Sequence, residues 1–175
     1  MSLKILKNGD EGLRRKSMYV DSAVFGTDEL ILLKNEMLAA MALSGGVGLA
    51  APQIGRNIRM FVMADVTEQF VCINPSITKS SETTSSYKEG CLSFPGLELS
   101  IVRPVDIEVA YYTERGEYVE RELRGIKGIW ARCFQHEYDH LDGILFTSHV
   151  SKIKLDIAKR KAKINVRKMK SLKRK

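Results

Sequence analysis

The chain has 175 residues, enough for one domain with a core of its own. Hydrophobic residues make up 44% and charged residues 28%, and no apolar run reaches eighteen residues, so a membrane-spanning helix is not expected; the N-terminal stretch also lacks the apolar segment of a secretory leader. Net charge is +7, yet residues 152–175 hold twelve Lys/Arg against the single acid Asp156, so the rest of the chain is acidic on balance and a basic body that grips nucleic acid is not supported.

Asp10 can cap a helical turn over 11–16. Thr27 is the expected N-cap of a first helix, with Asp28 and Glu29 in the turn favoured by the helix dipole and apolar residues at 30, 33, 37, 38 and 41 on one face. Gly45 and Gly46 end it. Residues 58–64 and 70–73 are rich in β-branched and aromatic side chains and read as strands, whereas the polar stretch 79–88 reads as a surface excursion. A hairpin is predicted from 105–113 and 118–123 around the turn Glu114-Arg115-Gly116-Glu117. Residues 126–140 predict a second, buried helix, and Ser151 caps a third that runs to about Leu172. Helices and strands do not alternate regularly, which points to an α+β fold.

On the second helix lies His136-Glu137-Tyr138-Asp139-His140, an H-E-x-x-H pattern. The i, i+4 spacing puts both imidazoles on one face, and the intervening glutamate can reach a water held by a metal. A third protein ligand is expected. The metzincin continuation fails at Phe146, and His149 lies outside its spacing and reads as a surface residue. Glu89-Gly90-Cys91-Leu92-Ser93 offers a thiolate in a glycine-containing turn, and Cys91 is favoured over Cys72, which sits in a predicted strand. Cys133, one turn before His136, either lines the site or packs in the core. None of the three cysteines forms a C-x-x-C pair, so a reducing, cytoplasmic setting is expected rather than a disulfide framework.

Gly46-Val47-Gly48-Leu49-Ala50-Ala51-Pro52-Gln53 formally matches a dinucleotide fingerprint, but it follows a helix and runs into proline, which is the wrong context. Its glycines suit close approach of an extended backbone, and Gln53 supplies an amide donor.

Together, Gly46–Gln53, Glu89–Ser93 and Gln135-His-Glu-Tyr-Asp-His-Leu-Asp-Gly143 resemble, in order, the three motifs of the peptide deformylases, with similarity over roughly residues 4–150. The resemblance implies an α+β fold with antiparallel sheets around a central helix that carries H-E-x-x-H. It implies a hydrolase that removes the formyl group from N-formylmethionyl nascent peptides and releases formate, using one divalent metal, typically Fe²⁺, with Zn²⁺, Ni²⁺ or Co²⁺ also able to occupy the site. Cys91, His136 and His140 would be the metal ligands, and Glu137 the acid–base group. The Gln53 amide and the Leu92 N–H would stabilise the developing oxyanion. Gly48 would let the peptide pair as an added strand, and Val47, Ile129 and Cys133 would line a methionine pocket, although core packing explains those three nearly as well.

Further readings stay open. Arg132 can point to solvent or into the substrate cleft, and Glu89 with Arg103 can form a brace or stand as unrelated surface charges. Asp139 and Asp142 can orient imidazoles, but solvated positions on the helix surface are the expectation. Residues 1–150 would form the catalytic domain and 151–175 a basic helix or tail, part of the same domain or a docking extension, either solvated or docked on ribosomal RNA, its apolar positions 153, 157, 164 and 172 making only a partial stripe. The competing readings are a zinc peptidase using the same helix, and a non-catalytic RNA-binding module.

Overall fold

The structure, a computed structural model, describes residues 3–124 and 129–172, with side chains described up to 164. Asp10 accepts a hydrogen bond from Gly12 N and opens a 3-10 turn over Glu11–Arg14. Helix α1, Asp28–Leu43, starts where Thr27 Oγ1 accepts from Leu30 N, and it buries Leu30, Met37, Ala40 and Met41. Seven strands follow: β1 (Gly48–Ala50), β2 (Met60–Ala64), β3 (Gln69–Ser80), β4 (Thr84–Gly90), β5 (Glu98–Pro104), β6 (Ile107–Tyr112) and β7 (Tyr118–Leu123). Helix α2 covers Ile129–Leu141 and α3 covers Lys152–Leu172. The predicted start of the second helix at 126 falls among residues 125–128, outside the described residues.

One antiparallel sheet has the order β1-β2-β3-β6-β7, and β4 pairs with β5 in a separate two-stranded sheet. The larger sheet is covered on both faces, and the alternation of side chains along β2 shows how. Met60 and Val62 pack with α1 residues Met37, Ala40 and Met41, while Phe61 and Met63 pack with α2 residues Ala131, Cys133 and Phe134. Burial on both faces explains why β2 is apolar throughout rather than alternating. A third cluster joins Leu97, Leu99 and Ile101 around β5 to Leu145 and Phe146, and Leu155, Ala158 and Ala162 of α3 lie against it.

Three expectations are corrected here. Residues 79–88 are not a surface excursion: β3 runs on to Ser80, and β4 begins at Thr84 and pairs with β5 over its whole length. A strand with one exposed face needs few apolar side chains, and in β4 only Glu89 is buried, so its polar composition hid it. The 105–113 strand is shorter than predicted, with Thr113 drawn into the hairpin turn, where its Oγ1 accepts from Arg115 N and Glu117 N. On α3, Ile153, Ile157 and Ile164 are 73%, 50% and 52% exposed, so the residues that dock this helix lie on a different face from the apparent stripe.

Candidate active site

Three segments far apart in sequence meet on one face of α2. The central position of α2, with a sheet on one side and β5 on the other, buries His136, Glu137 and His140. The turn after β4 brings in Cys91, whose Sγ lies 3.3 Å from His140 Nε2, and one donor atom from each of Cys91, His136 and His140 lies within 4.8 Å of the other two. The expected ligand trio is therefore assembled.

Burial and hydrogen bonds set the protonation of this cluster. His136 Nδ1 is 3.0 Å from Glu89 Oε2. Burial raises the Glu89 carboxyl, but hydrogen bonds with His136 and Arg103 outweigh it and hold it down at about 2. An ionised carboxylate only accepts, so Nδ1 carries a ring proton; burial lowers the His136 imidazolium, but hydrogen bonds with Cys91 and Glu89 outweigh it and push it up to about 10, so a cation at Nε2 would have to displace the second ring proton. Burial, and then the neighbouring His136, keep the His140 imidazole well below its usual value, so it is neutral as a ligand must be. Burial pushes the Glu137 carboxyl up to about 7. Among the described residues, buried Glu137 Oε2 and His140 Nδ1 have no hydrogen-bond partner. One sulfur, two imidazole nitrogens and an unpartnered carboxylate oxygen fit a divalent metal with one water beside it.

Glu89 is the hub behind this cluster. Arg103 donates to both its oxygens, Nε to Oε1 at 2.7 Å and Nη2 to Oε2 at 3.0 Å, so the two charges form a brace and not separate surface positions. Arg132 lines the cleft but is tied to its wall: Nη1 donates to Glu89 Oε1 at 2.6 Å and to Ile101 O at 3.0 Å, while Nη2 donates to Ser85 O at 2.9 Å and Ser85 Oγ at 3.1 Å. The expectation of solvated aspartates is also corrected. Asp139 accepts from Arg103 Nη1 at 2.9 Å and lies 2.8 Å from His149 Nε2, and Asp142 accepts from Arg59 at 2.7 Å. Neither touches an imidazole of the trio. His149 is exposed and outside the cluster, as expected.

The other predicted residues surround a cleft of about 690 Å³ that opens beside the trio. Gln53 is buried in it, its Oε1 accepting from Ala50 N at 2.8 Å and its Nε2 donating to Ser93 Oγ at 3.2 Å and Cys91 Sγ at 3.5 Å. Ser93, fully buried, is a partner that the sequence did not single out; its place in the Glu89–Ser93 turn was the only signal. Leu92 sits in the same turn, and its carbonyl accepts from Lys7 Nζ at 2.9 Å. Val47 and Ile129 line the cleft and are 40% and 45% exposed, so they form its rim rather than core. Cys133 does both, lining the cleft while packed in the cluster under α2. Gly48 has a reason beyond peptide pairing: a Cβ there would lie 2.7 Å from Cys133 Sγ and closer still to the Glu137 carboxylate. Cys72 is buried in β3 away from the trio, as the small hydrophobe it was expected to be.

Residues 2–156 match the family model described as polypeptide deformylase. The chain belongs to the peptide deformylase family. It is 42% identical over 156 residues to a peptide deformylase of Prochlorococcus marinus, an alignment that covers 86% of this chain and 74% of the relative. The fold of this deformylase matches that of a Synechococcus elongatus peptide deformylase solved with actinonin, at a TM-score of 0.84 and 37% identity, over 91% of this chain and 85% of that one. It also matches an Acinetobacter baumannii peptide deformylase of class I type b solved with Met-Ala-Ser, at 0.81 and 33%, over 86% of this chain and all of that one. The deformylase is thus a metal-dependent hydrolase that removes the N-terminal formyl group from nascent peptides, and the peptidase and RNA-module readings fall away. No described helix is long and apolar enough to cross a membrane.

Proposed function

We propose that Cys91, His136 and His140 hold the divalent ion of this deformylase, Fe²⁺ in the cell with Zn²⁺, Ni²⁺ or Co²⁺ able to replace it, and that Glu137 moves the proton during formyl hydrolysis. The observation that carries this is the convergence of one sulfur and two imidazoles beside a buried, unpartnered carboxylate. A thiolate with two imidazoles favours transition metals over Mg²⁺ or Ca²⁺. Bound there, such an ion supplies Lewis acidity toward water and the formyl oxygen.

The chain's own residues do the rest. Glu137 accepts the proton that the attacking water loses and returns it to the departing amine nitrogen, so formate and a free N-terminus are the products. The formyl oxygen gains charge as its carbon becomes tetrahedral, and the Gln53 amide and Leu92 N–H donate to it. Gln53 is pre-positioned for that role, because Ala50 N fixes its carbonyl end and so aims its amide end at the Cys91–Ser93 turn. The methionine side chain enters between Val47, Ile129 and Cys133, and the peptide backbone pairs along the edge Gly46–Gly48. The Met-Ala-Ser held by the Acinetobacter baumannii relative supports a cleft that takes peptides beginning with methionine. The Lys and Arg of α3 that are exposed, at 152–163, would meet ribosomal RNA by charge, and three cysteines without disulfides suit the cytoplasm.

Formate release from formyl-Met-Ala-Ser by the metal-loaded protein tests the core of this reading. Glu137→Gln is expected to keep its metal, by elemental analysis, and to lose turnover about 10²–10⁴-fold. Metal loss in that variant, or retained turnover, removes Glu137 from the assigned role.

A further inference from the structure

A second cleft, of about 650 Å³, lies between α3 and the turn after Cys91. Lys7, Lys159 and Lys163 line it over a floor that includes Phe94, Pro95 and Leu97. No aspartate or glutamate lines it among the described residues, and none of these three ammonium groups makes an ion pair there. Lys159 and Lys163 are exposed and sit on α3 beside Ala158 and Ala162, which pack on the body, so the helix itself holds these lysines at the cleft. The two clefts adjoin, with Lys7, Phe94, Pro95 and Leu97 in the walls of both.

The direction in which a bound peptide runs follows from the glycine edge. Gly48 abuts the Glu137 carboxylate, which marks the formyl end; on its other side Leu49 and Ala50 are fully buried, so the open edge runs from Gly48 back to Gly46, on a cleft that Lys7 also lines. A peptide paired along this edge with its formyl group at Glu137 therefore passes Gly48, then Gly46, and leaves the catalytic cleft at Lys7. There it meets the lysine-lined cleft. This step rests on the reading of Gly46–Gly48 as the pairing edge.

We propose that the second cleft receives the downstream part of the nascent chain and selects for acidic side chains there, so that this deformylase works faster on formyl-peptides carrying Asp or Glu a few residues after the methionine. Three ammonium groups in a cleft whose described lining holds no carboxylate repel one another, and an acidic segment relieves that repulsion, whereas a basic one adds to it. The apolar floor lets the aliphatic stems of both partners stay in contact while the charged ends meet in solvent.

The test compares eight-residue formyl-peptides that share formyl-Met-Ala-Ser and differ only in carrying Glu or Lys at each of the positions that follow. At low salt, kcat/KM is expected to be about three- to ten-fold higher for the acidic peptides, the preference fading toward unity in ~0.5 M salt. In the double variant Lys159→Glu, Lys163→Glu the preference is expected to reverse. Equal kcat/KM for the two peptide series in the wild-type protein at low salt overturns the proposal, as does an acidic preference that survives the double variant. A double variant that loses only binding to ribosomal RNA, with its peptide preference intact, assigns the lysines to RNA and equally overturns it. The tripeptide formyl-Met-Ala-Ser, which lacks the downstream positions that carry the charge, is the separate control on the catalytic reading. If it is turned over normally while the long peptides show no charge preference, the second cleft fails and the catalytic site stands; if Glu137→Gln leaves tripeptide turnover intact, the catalytic site itself is misread.

Discussion

Single atoms decide much of this site. Cys91 supplies the only sulfur of the trio, and Cys91→Ser is expected to weaken metal retention, because a hydroxyl stays protonated where a thiol ionises beside a cation. Metal content after dialysis against a chelator measures it, and unchanged content removes Cys91 from the ligand set. Gly48 gives a different test. Alanine there forces a methyl group between Cys133 Sγ and the Glu137 carboxylate. Gly48→Ala is expected to displace that carboxylate and lower kcat on formyl-Met-Ala-Ser by about 10²-fold while the metal content stays full, as a misplaced proton acceptor would. Wild-type kcat in that variant means that the strand yields instead of the acid. The motif residues themselves were readable from sequence, because an i, i+4 pair on a helix is a local pattern that needs no knowledge of the fold. The reason for Gly48 was not readable, since its close neighbours Cys133 and Glu137 come from a helix more than eighty positions away.

At the scale of elements, the hairpin of β4 and β5 is what locks the metal helix in place. Arg132 on α2 spans it, reaching Ser85 on β4, Ile101 on β5 and Glu89 at once. Arg132→Met is expected to leave Glu89 with Arg103 and His136 only and Ser85 O without its side-chain donor, destabilising the fold by about 2 kcal/mol. Because Glu89 fixes the His136 ring, the variant should also release its metal about 10–100-fold faster. Chelator-driven metal loss followed over time checks this, with Arg132→Lys as the companion. A lysine keeps the charge but has no fork for four acceptors, so only partial rescue is expected. Wild-type release by Arg132→Met would make the arginine a mere strut. Sequence reading located α1 through its Thr27 cap and the β6–β7 hairpin through its turn, both local signals. It missed β4 and β5 because their pairing, Glu89 opposite Leu99 and Ser85 opposite Arg103, is set by register between strands and leaves only Glu89 of β4 buried. The roles of Arg103 and Arg132 depend on that register, so the spacing of the residues along the chain could not separate a brace from two stray charges.

Across the whole molecule, α3 has two faces with different work. Leu155, Ala158 and Ala162 cover the cluster formed by Leu97, Leu99, Ile101 and Phe146, whereas Ile153, Ile157 and Ile164 look outward among lysines. The expected boundary at residue 150 leaves 151–175 either part of the same domain or a docking extension, and a cut within the helix can separate its packed turns from its distal charges. Cutting the chain after Ile164 removes six of its Lys/Arg and leaves the packed turns in place. That truncation is expected to lower co-sedimentation with ribosomes at low salt while melting close to the wild-type temperature, since fewer cationic side chains neutralise fewer phosphates and so reduce affinity and its salt dependence together. Removing 152–175 instead uncovers the apolar cluster, and the half-buried Leu155 together with its two alanines is expected to account for about 2 kcal/mol of lost stability, seen as a lower Tm by calorimetry. Equal melting temperatures for the two truncations would mean that α3 does not support the body. Undiminished co-sedimentation of the shorter cut, with the longer cut losing it, would place the RNA contact on residues 152–164, the same stretch that holds Lys159 and Lys163 over the second cleft.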